Sequence, residues 1–210
     1  MSEPIAFLRD EFPALFRRGV DLLRERATTE PAAKRALDDV LGARGAALLR
    51  FDGMGDVWLS VENGEMRASD VRPADFDAEL AVSVPGEAAE VALDTARGER
   101  DLRSPEIALG VARMVSARVQ AAVRGENLSF VLTIRDTPDF EAVPVRVAFG
   151  ADAPPDKPRF TVDVRYADLE RVERGELKPQ QFFMGGKMKF GGDYARALQI
   201  AMKLAEPPRR

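Results

Sequence analysis

The 210-residue chain has no cysteine and no histidine. Without cysteine there is no disulfide framework and no thiol nucleophile. Without histidine, serine and cysteine triads lose their usual base, and zinc loses its commonest ligands. We therefore expect no metal, no resident cofactor and no catalysis. Carboxylate and lysine chemistry stays formally open. Asp168, Glu170 and Glu173, however, sit on an apparent helix and read as a solvated face. Lys187 follows two glycines but is no phosphate-binding lysine: Gln181 stands where the first glycine of G-x-x-x-x-G-K-[ST] belongs, and Met188 follows the lysine. No apolar run approaches a membrane span in length. Glu3, Arg9, Asp10 and Glu11 interrupt any N-terminal leader pattern, so a cytoplasmic location is expected.

A basic stripe is also missing. Arg17-Arg18 and Arg209-Arg210 are too short to form one, and a net charge of −4 argues against nucleic-acid partners. The charge is nevertheless uneven. Residues 51–100 carry 4 Lys/Arg against 12 Asp/Glu, whereas residues 151–210 carry 12 against 9. Five of the six lysines lie between Lys157 and Lys203. The C-terminal part can therefore face an anionic surface while the middle avoids it.

A hydrophobic content of 45% with 31% charged residues suits one or two globular domains with a sizeable core. Residues 1–44 read as helical. Phe7, Leu8, Phe12, Leu15, Phe16, Val20 and Leu23 keep a helical period, with Pro13 marking a kink or restart. Arg17, Arg18, Arg24 and Arg26 make the other side of this helix basic, so Phe7–Leu23 can cover a sheet or contact a membrane or a partner protein. A second helix should run from Pro31 to Leu41, capped by Thr28 or Thr29 and stopped at Gly42.

Residues 45–125 read as strands followed by a long helix. Ala46–Phe51 and Val57–Val61 are strands, the second with Val57, Leu59 and Val61 set against Trp58 and Ser60. Glu62-Asn63-Gly64 is a strong hairpin signal leading into Glu65–Ser69. Ala78–Val84 alternates with Leu80, Val82 and Val84 on one face. Helices are expected over Glu87–Ala96, stopped by Gly98, and from Pro105 to Val123. Residues 126–210 begin with strands at Leu128–Ile134 and Val143–Phe149, then Phe160–Val164 and a short helix at Tyr166–Val172. Strand, helix and Arg-Gly-Glu recur at Ala78–Glu99 and Arg159–Glu176, which suggests a degenerate duplication.

The most informative stretch is Gly175–Leu204. Pro179 can open a turn or helix, and Phe182-Phe183-Met184 is an apolar patch. Lys187-Met188-Lys189-Phe190 alternates like a half-buried strand with Met188 and Phe190 inward. Gly191-Gly192 should break that strand, and Asp193 should cap a helix whose apolar face holds Tyr194, Leu198, Ala201, Met202 and Ala205.

Gly175-Glu176-Leu177-Lys178-Pro179, Phe183-Met184, and Gly186-Lys187-Met188-Lys189-Phe190-Gly191-Gly192 follow the alternating strand Phe160–Val164 in order. This run resembles the C-terminal signature of the sterol-carrier-protein-2 (SCP2) family over residues 160–204. Phe51, Trp58 and Gly64 fit the family more weakly. The resemblance implies an α+β fold, a mixed β-sheet covered by helices on one face, with an apolar tunnel between the layers. The family's domain is roughly half this length, so the chain is either two tandem SCP2-like units, the first degenerate, or one unit with a large insertion. The candidate ligand-binding residues are Phe160, Val162, Val164, Leu169, Phe182, Phe183, Met184, Met188, Phe190, Leu198 and Met202. Lys187, Lys189 and Lys203 would meet anionic headgroups near the mouth. The resemblance implies a non-catalytic protein that binds or transfers a lipid, sterol, fatty acid or isoprenoid. The alternative is an accessory scaffold presenting lipid-like intermediates such as quinones to partner enzymes.

Overall fold

The structure, a computed structural model, describes residues 3–76, 78–99 and 116–205. Among them the chain runs α1 (Glu3–Ala6), a π turn (Phe7–Glu11), α2 (Phe12–Arg26), α3 (Pro31–Leu41), β1 (Arg44–Asp52), β2 (Gly55–Glu62), β3 (Glu65–Ser69), β4 (Ala78–Pro85) and α4 (Gly86–Glu99). It continues with α5 (Ala117–Val123), β5 (Ser129–Arg135), β6 (Ala142–Phe149), β7 (Phe160–Arg165), α6 (Tyr166–Glu173), α7 (Pro179–Met184), β8 (Lys189–Gly192) and α8 (Ala195–Ala205). All the strands join one eight-stranded sheet in the order β3-β2-β1-β4-β6-β5-β7-β8. The pairing is mixed: β1 runs parallel to β4 and β5 to β7, and the other neighbours are antiparallel.

The two halves of the sheet share a pattern. In each, a central strand (β1 or β5) has an antiparallel partner on one side (β2 or β6). Its other neighbour is a parallel strand (β4 or β7) that leads directly into a helix. Antiparallel pairing of β4 with β6 makes the halves one sheet.

In-register neighbours put one apolar row on a single face, running from Val57, Leu59 and Val61 of β2 to Phe160, Val162 and Val164 of β7. Helices cover this face at both ends. Over β2 and β3, Phe7, Leu8, Leu15, Phe16, Val20, Leu23 and Val40 pack on Val57, Leu59, Val61 and Met66. The apolar side of the first helix is therefore spent on the sheet and is not open to a membrane or a partner protein. The helix continues through Pro13 because a π turn precedes it, which accommodates a residue with no N–H to donate.

Several local expectations shift. Neither Thr28 nor Thr29 caps α3: Glu30 holds that place without a side-chain bond, and the Thr28 hydroxyl donates to the Glu25 carbonyl. Trp58 and Ser60 are buried as well as Val57, Leu59 and Val61. Phe76 packs with Trp58, Leu48 and Ala81 on the second face, so β2 is covered on both sides. Gly98 lies inside α4 rather than ending it. The helix expected from Pro105 to Val123 does not run unbroken: Ser116 is extended and starts α5 as its N-cap, its hydroxyl accepting from the Val119 N–H, and residues 105–115 lie outside the described residues. No helix of the described residues is long and apolar enough to cross a membrane.

The hairpin between β2 and β3 has the two-residue turn that its Asn-Gly pair demands. Asn63 has φ 53° and Gly64 φ 75°, with Glu62 paired to Glu65 across the turn. A Cβ at Gly64 would stand 2.7 Å from Leu41 Cδ2. Gly64→Ala should therefore cost at least the ~1–2 kcal/mol of a left-handed non-glycine residue. Gly53, at φ 80° with nothing within 4 Å of a built Cβ, is the control. Urea denaturation should show the larger loss for Gly64→Ala. Equal losses would mean that Leu41 yields freely.

Candidate functional site

The candidate site forms where β5, β7 and β8 lie side by side. Phe130 pairs with Phe160, Leu132 with Val162 and Ile134 with Val164, and Phe190 stands opposite Val162 on the outer strand. Identical registers place all seven side chains on the helix-covered face. The Phe130 and Phe160 rings stack with centroids 5.0 Å apart. Above them come Leu169 and Val172 of α6, Leu177, Phe182 of α7, Met188 and Ala197 of α8. Phe160, Val162, Val164 and Phe182 are buried within this cluster.

Seven of the sequence candidates thus meet in one place: Phe160, Val162, Val164, Leu169, Phe182, Met188 and Phe190. Phe183 and Met184 do not join them. Residues 182–184 lie within α7, and three successive helical residues cannot share a face. Phe182 points into the cluster, while Phe183 is 37% and Met184 84% exposed. Leu198 is half-buried outside the cluster. The side chain of Met202 lies outside the described residues, as does that of Lys203.

Helix α8 is rotated from its expected face. Ala197 touches the cluster, and Ile200 packs with Val123 and Leu128 beside α5, while Tyr194 is partly exposed. The side chains of Ala201 and Ala205, expected on the apolar face, lie outside the described residues. The Gly-Gly pair does not break β8: Gly191 and Gly192 pair with Thr161 and Phe160. Gly192 has φ 81°, and a Cβ there would lie 2.8 Å from the Arg159 carbonyl oxygen, so glycine lets the edge strand close on β7. Asp193 accepts from Arg159 Nε at 3.1 Å rather than capping α8.

Sequence reading passed over Phe130, Leu132 and Ile134 as site residues. The signal was present: Phe130–Arg135 and Phe160–Arg165 share the same apolar alternation, the mark of two strands contributing equivalent rows to one face.

The polar groups at the site act as braces. Asp168 is buried, contrary to the solvated face expected of it. It lies in the first turn of α6, where backbone N–H groups favour a carboxylate. Lys187 Nζ reaches its Oδ1 at 3.2 Å, with Arg171 at 3.6 Å. This pair ties the loop after α7 to α6, so Lys187 is not available as a free headgroup ligand. Beyond α6, Arg174 Nε donates to Glu176 at 2.7 Å, and this bond holds the Glu176 carboxyl below its ordinary pKa.

A cleft of about 460 Å³ lies elsewhere, at the ends of β1 and β4 against the start of α4. Its walls include Asp52, Met54, Pro85, Glu87, Phe140 and Val143, none of them a member of the β5–β7–β8 cluster. The apolar cluster, and not this cleft, coincides with the signature residues.

The profile of the SCP-2 sterol transfer family matches residues 99–205, just over half of the chain. The match begins ahead of the boundary placed at residue 126 and contains the whole cluster. No curated protein matches the chain. Among solved structures, a "UbiJ-SCP2 Ubiquinone synthesis protein" shares 16% identity over 45% of this chain and 85% of its own, with a TM-score of 0.22. At that score the two backbones superpose poorly. Family profile and signature residues coincide on the same strands and helices, and the chain belongs to the SCP-2 sterol transfer family.

Proposed function

We propose that this protein is a non-catalytic carrier that holds the apolar chain of a lipid between the β5–β7–β8 face and the helices above it. One observation carries this reading. Within the family-matched stretch, the surface enclosed by α6, α7 and α8 is built from Phe, Val, Leu, Ile and Met side chains. Such a surface offers a ligand no directional bond. Each buried methylene contributes about 0.8 kcal/mol regardless of orientation, so chain length matters more than chemical detail. Met188 adds an adaptable wall. The absence of histidine and cysteine from the sequence supports binding without chemistry. Acyl and isoprenoid chains are the ligands that suit this surface.

Titration with a fluorescent fatty acid tests the proposal. Saturable binding is expected, tightening with each added methylene and displaced by an isoprenoid alcohol. An affinity independent of chain length would count against an enclosed apolar site.

A further inference from the structure

Four large apolar side chains stand exposed among the described residues, and three of them are Phe183, Met184 and Tyr194. Phe183 and Tyr194 both lie against Phe190 and form one patch with it. The Phe183 and Phe190 ring centroids are 5.7 Å apart, and those of Phe190 and Tyr194 are 4.9 Å apart. Met184 follows Phe183 at the end of α7 and is the most exposed of the three at 84%. A helix end and an edge strand thus present an apolar tip that the fold itself does not cover. Scattered exposed apolar residues need no explanation, but a contiguous set does.

The charge around the tip selects its partner. Lys178, Lys187 and Lys189 are exposed beside it in the chain. From Lys178 to Ala205 there are five basic residues and a single acidic one, Asp193, which is bonded to Arg159. Nearby Glu176 is taken up by Arg174 and Arg171, and the buried Asp168 offsets part of the Lys187 charge. The acidic stretch of the sequence falls largely on β2, β3, β4 and α4, in the other half of the sheet. The molecule is therefore polarised, with its apolar tip at the basic end. A second copy docked tip to tip would bring like charges together. An anionic membrane satisfies both features, taking Phe183 and Met184 among its acyl chains and the lysines at its phosphates.

We propose that the Phe183–Met184–Tyr194 tip, with Lys178 and Lys189, is a docking surface for anionic lipid bilayers. Docking there would place the bilayer against Phe190, whose ring also faces the apolar cluster. The surface acts whether or not the cluster holds a ligand, so vesicle binding and fatty-acid uptake are separate readouts.

Vesicle sedimentation tests the proposal with the intact protein. Vesicles of phosphatidylcholine alone are compared with vesicles containing roughly a third phosphatidylglycerol, for which two nearby lysines predict a roughly tenfold preference. The preference should fall as salt rises. Phe183→Ser with Met184→Ser should remove most binding to the anionic vesicles, and Lys178→Glu with Lys189→Glu should remove the preference. These side chains are exposed, and circular dichroism verifies that each variant is folded. As an independent readout, Met184→Trp should shift its emission to the blue with anionic vesicles only. Equal binding to both vesicle types, or undiminished binding by the serine variant, would overturn the proposal. So would light scattering that shows a dimer lost on Met184→Ser, which would assign the tip to a second copy of the chain.

Discussion

Phe190→Asp is expected to abolish uptake of a fluorescent fatty acid while leaving most of the fold in place. Phe190 stands opposite Val162 on β8, with the Phe183 and Tyr194 rings against it. A carboxylate there has no cationic partner within the apolar cluster, and desolvating it costs several kcal/mol unless it turns to water. Either outcome spoils the site: the side chain swings out and opens the wall, or it stays and draws water in. The damage should remain local because β8 is the last strand of the sheet and pairs only with β7. The β1–β4 half, with its own helical cover, makes no contact with this strand through pairing. Fatty-acid titration together with far-UV circular dichroism checks the prediction. Unchanged uptake would mean that Phe190 does not line the ligand's path.

The second large effect concerns the other end of the sheet. Phe16→Ala should destabilise the protein by about 3–5 kcal/mol, the usual cost of truncating a buried phenylalanine. Phe16 is 0% exposed and sits in α2 among Leu15, Val20, Val57 and Leu59. Its removal leaves a cavity where helix meets sheet, and the packing can collapse only in part. The urea midpoint should fall with little change in slope. A loss below about 1 kcal/mol would show that α2 lies loosely on the sheet, leaving its apolar side free for another partner. The prediction thus also tests why the Phe7–Leu23 helix is unavailable for docking.

How much of this was legible in the sequence depends on the range of the interaction. The Asn63-Gly64 turn, the start of α3 at Pro31 and the alternation of β7 are local, and periodicity located them well. Fates decided by contacts distant in sequence were not legible. Asp168 looked solvated because its partner Lys187 comes from a loop nineteen residues on, counted along the chain. Asp193 looked like a helix cap until Arg159 claimed it. Phe182, Phe183 and Met184 are one apolar run in the sequence, but a helix distributes three consecutive residues around its axis. Phe130 was missed because only the parallel register with β7 shows that its row and the Phe160 row make one wall. The family signature compensated by marking the strands and helices that carry the site, and seven of its eleven candidate side chains converge there.

Lipid carriage is tested most directly by native mass spectrometry of the protein purified without detergent, followed by solvent extraction and identification of whatever accompanies it. The expected result is a mass above that of the bare chain by one lipid, with a family of acyl or isoprenoid species in the extract rather than a single compound. Phe190→Asp prepared in parallel should fly at the bare-chain mass. A clean bare-chain mass for the unaltered protein, unchanged after incubation with fatty acid and with isoprenoid alcohol, would contradict lipid carriage.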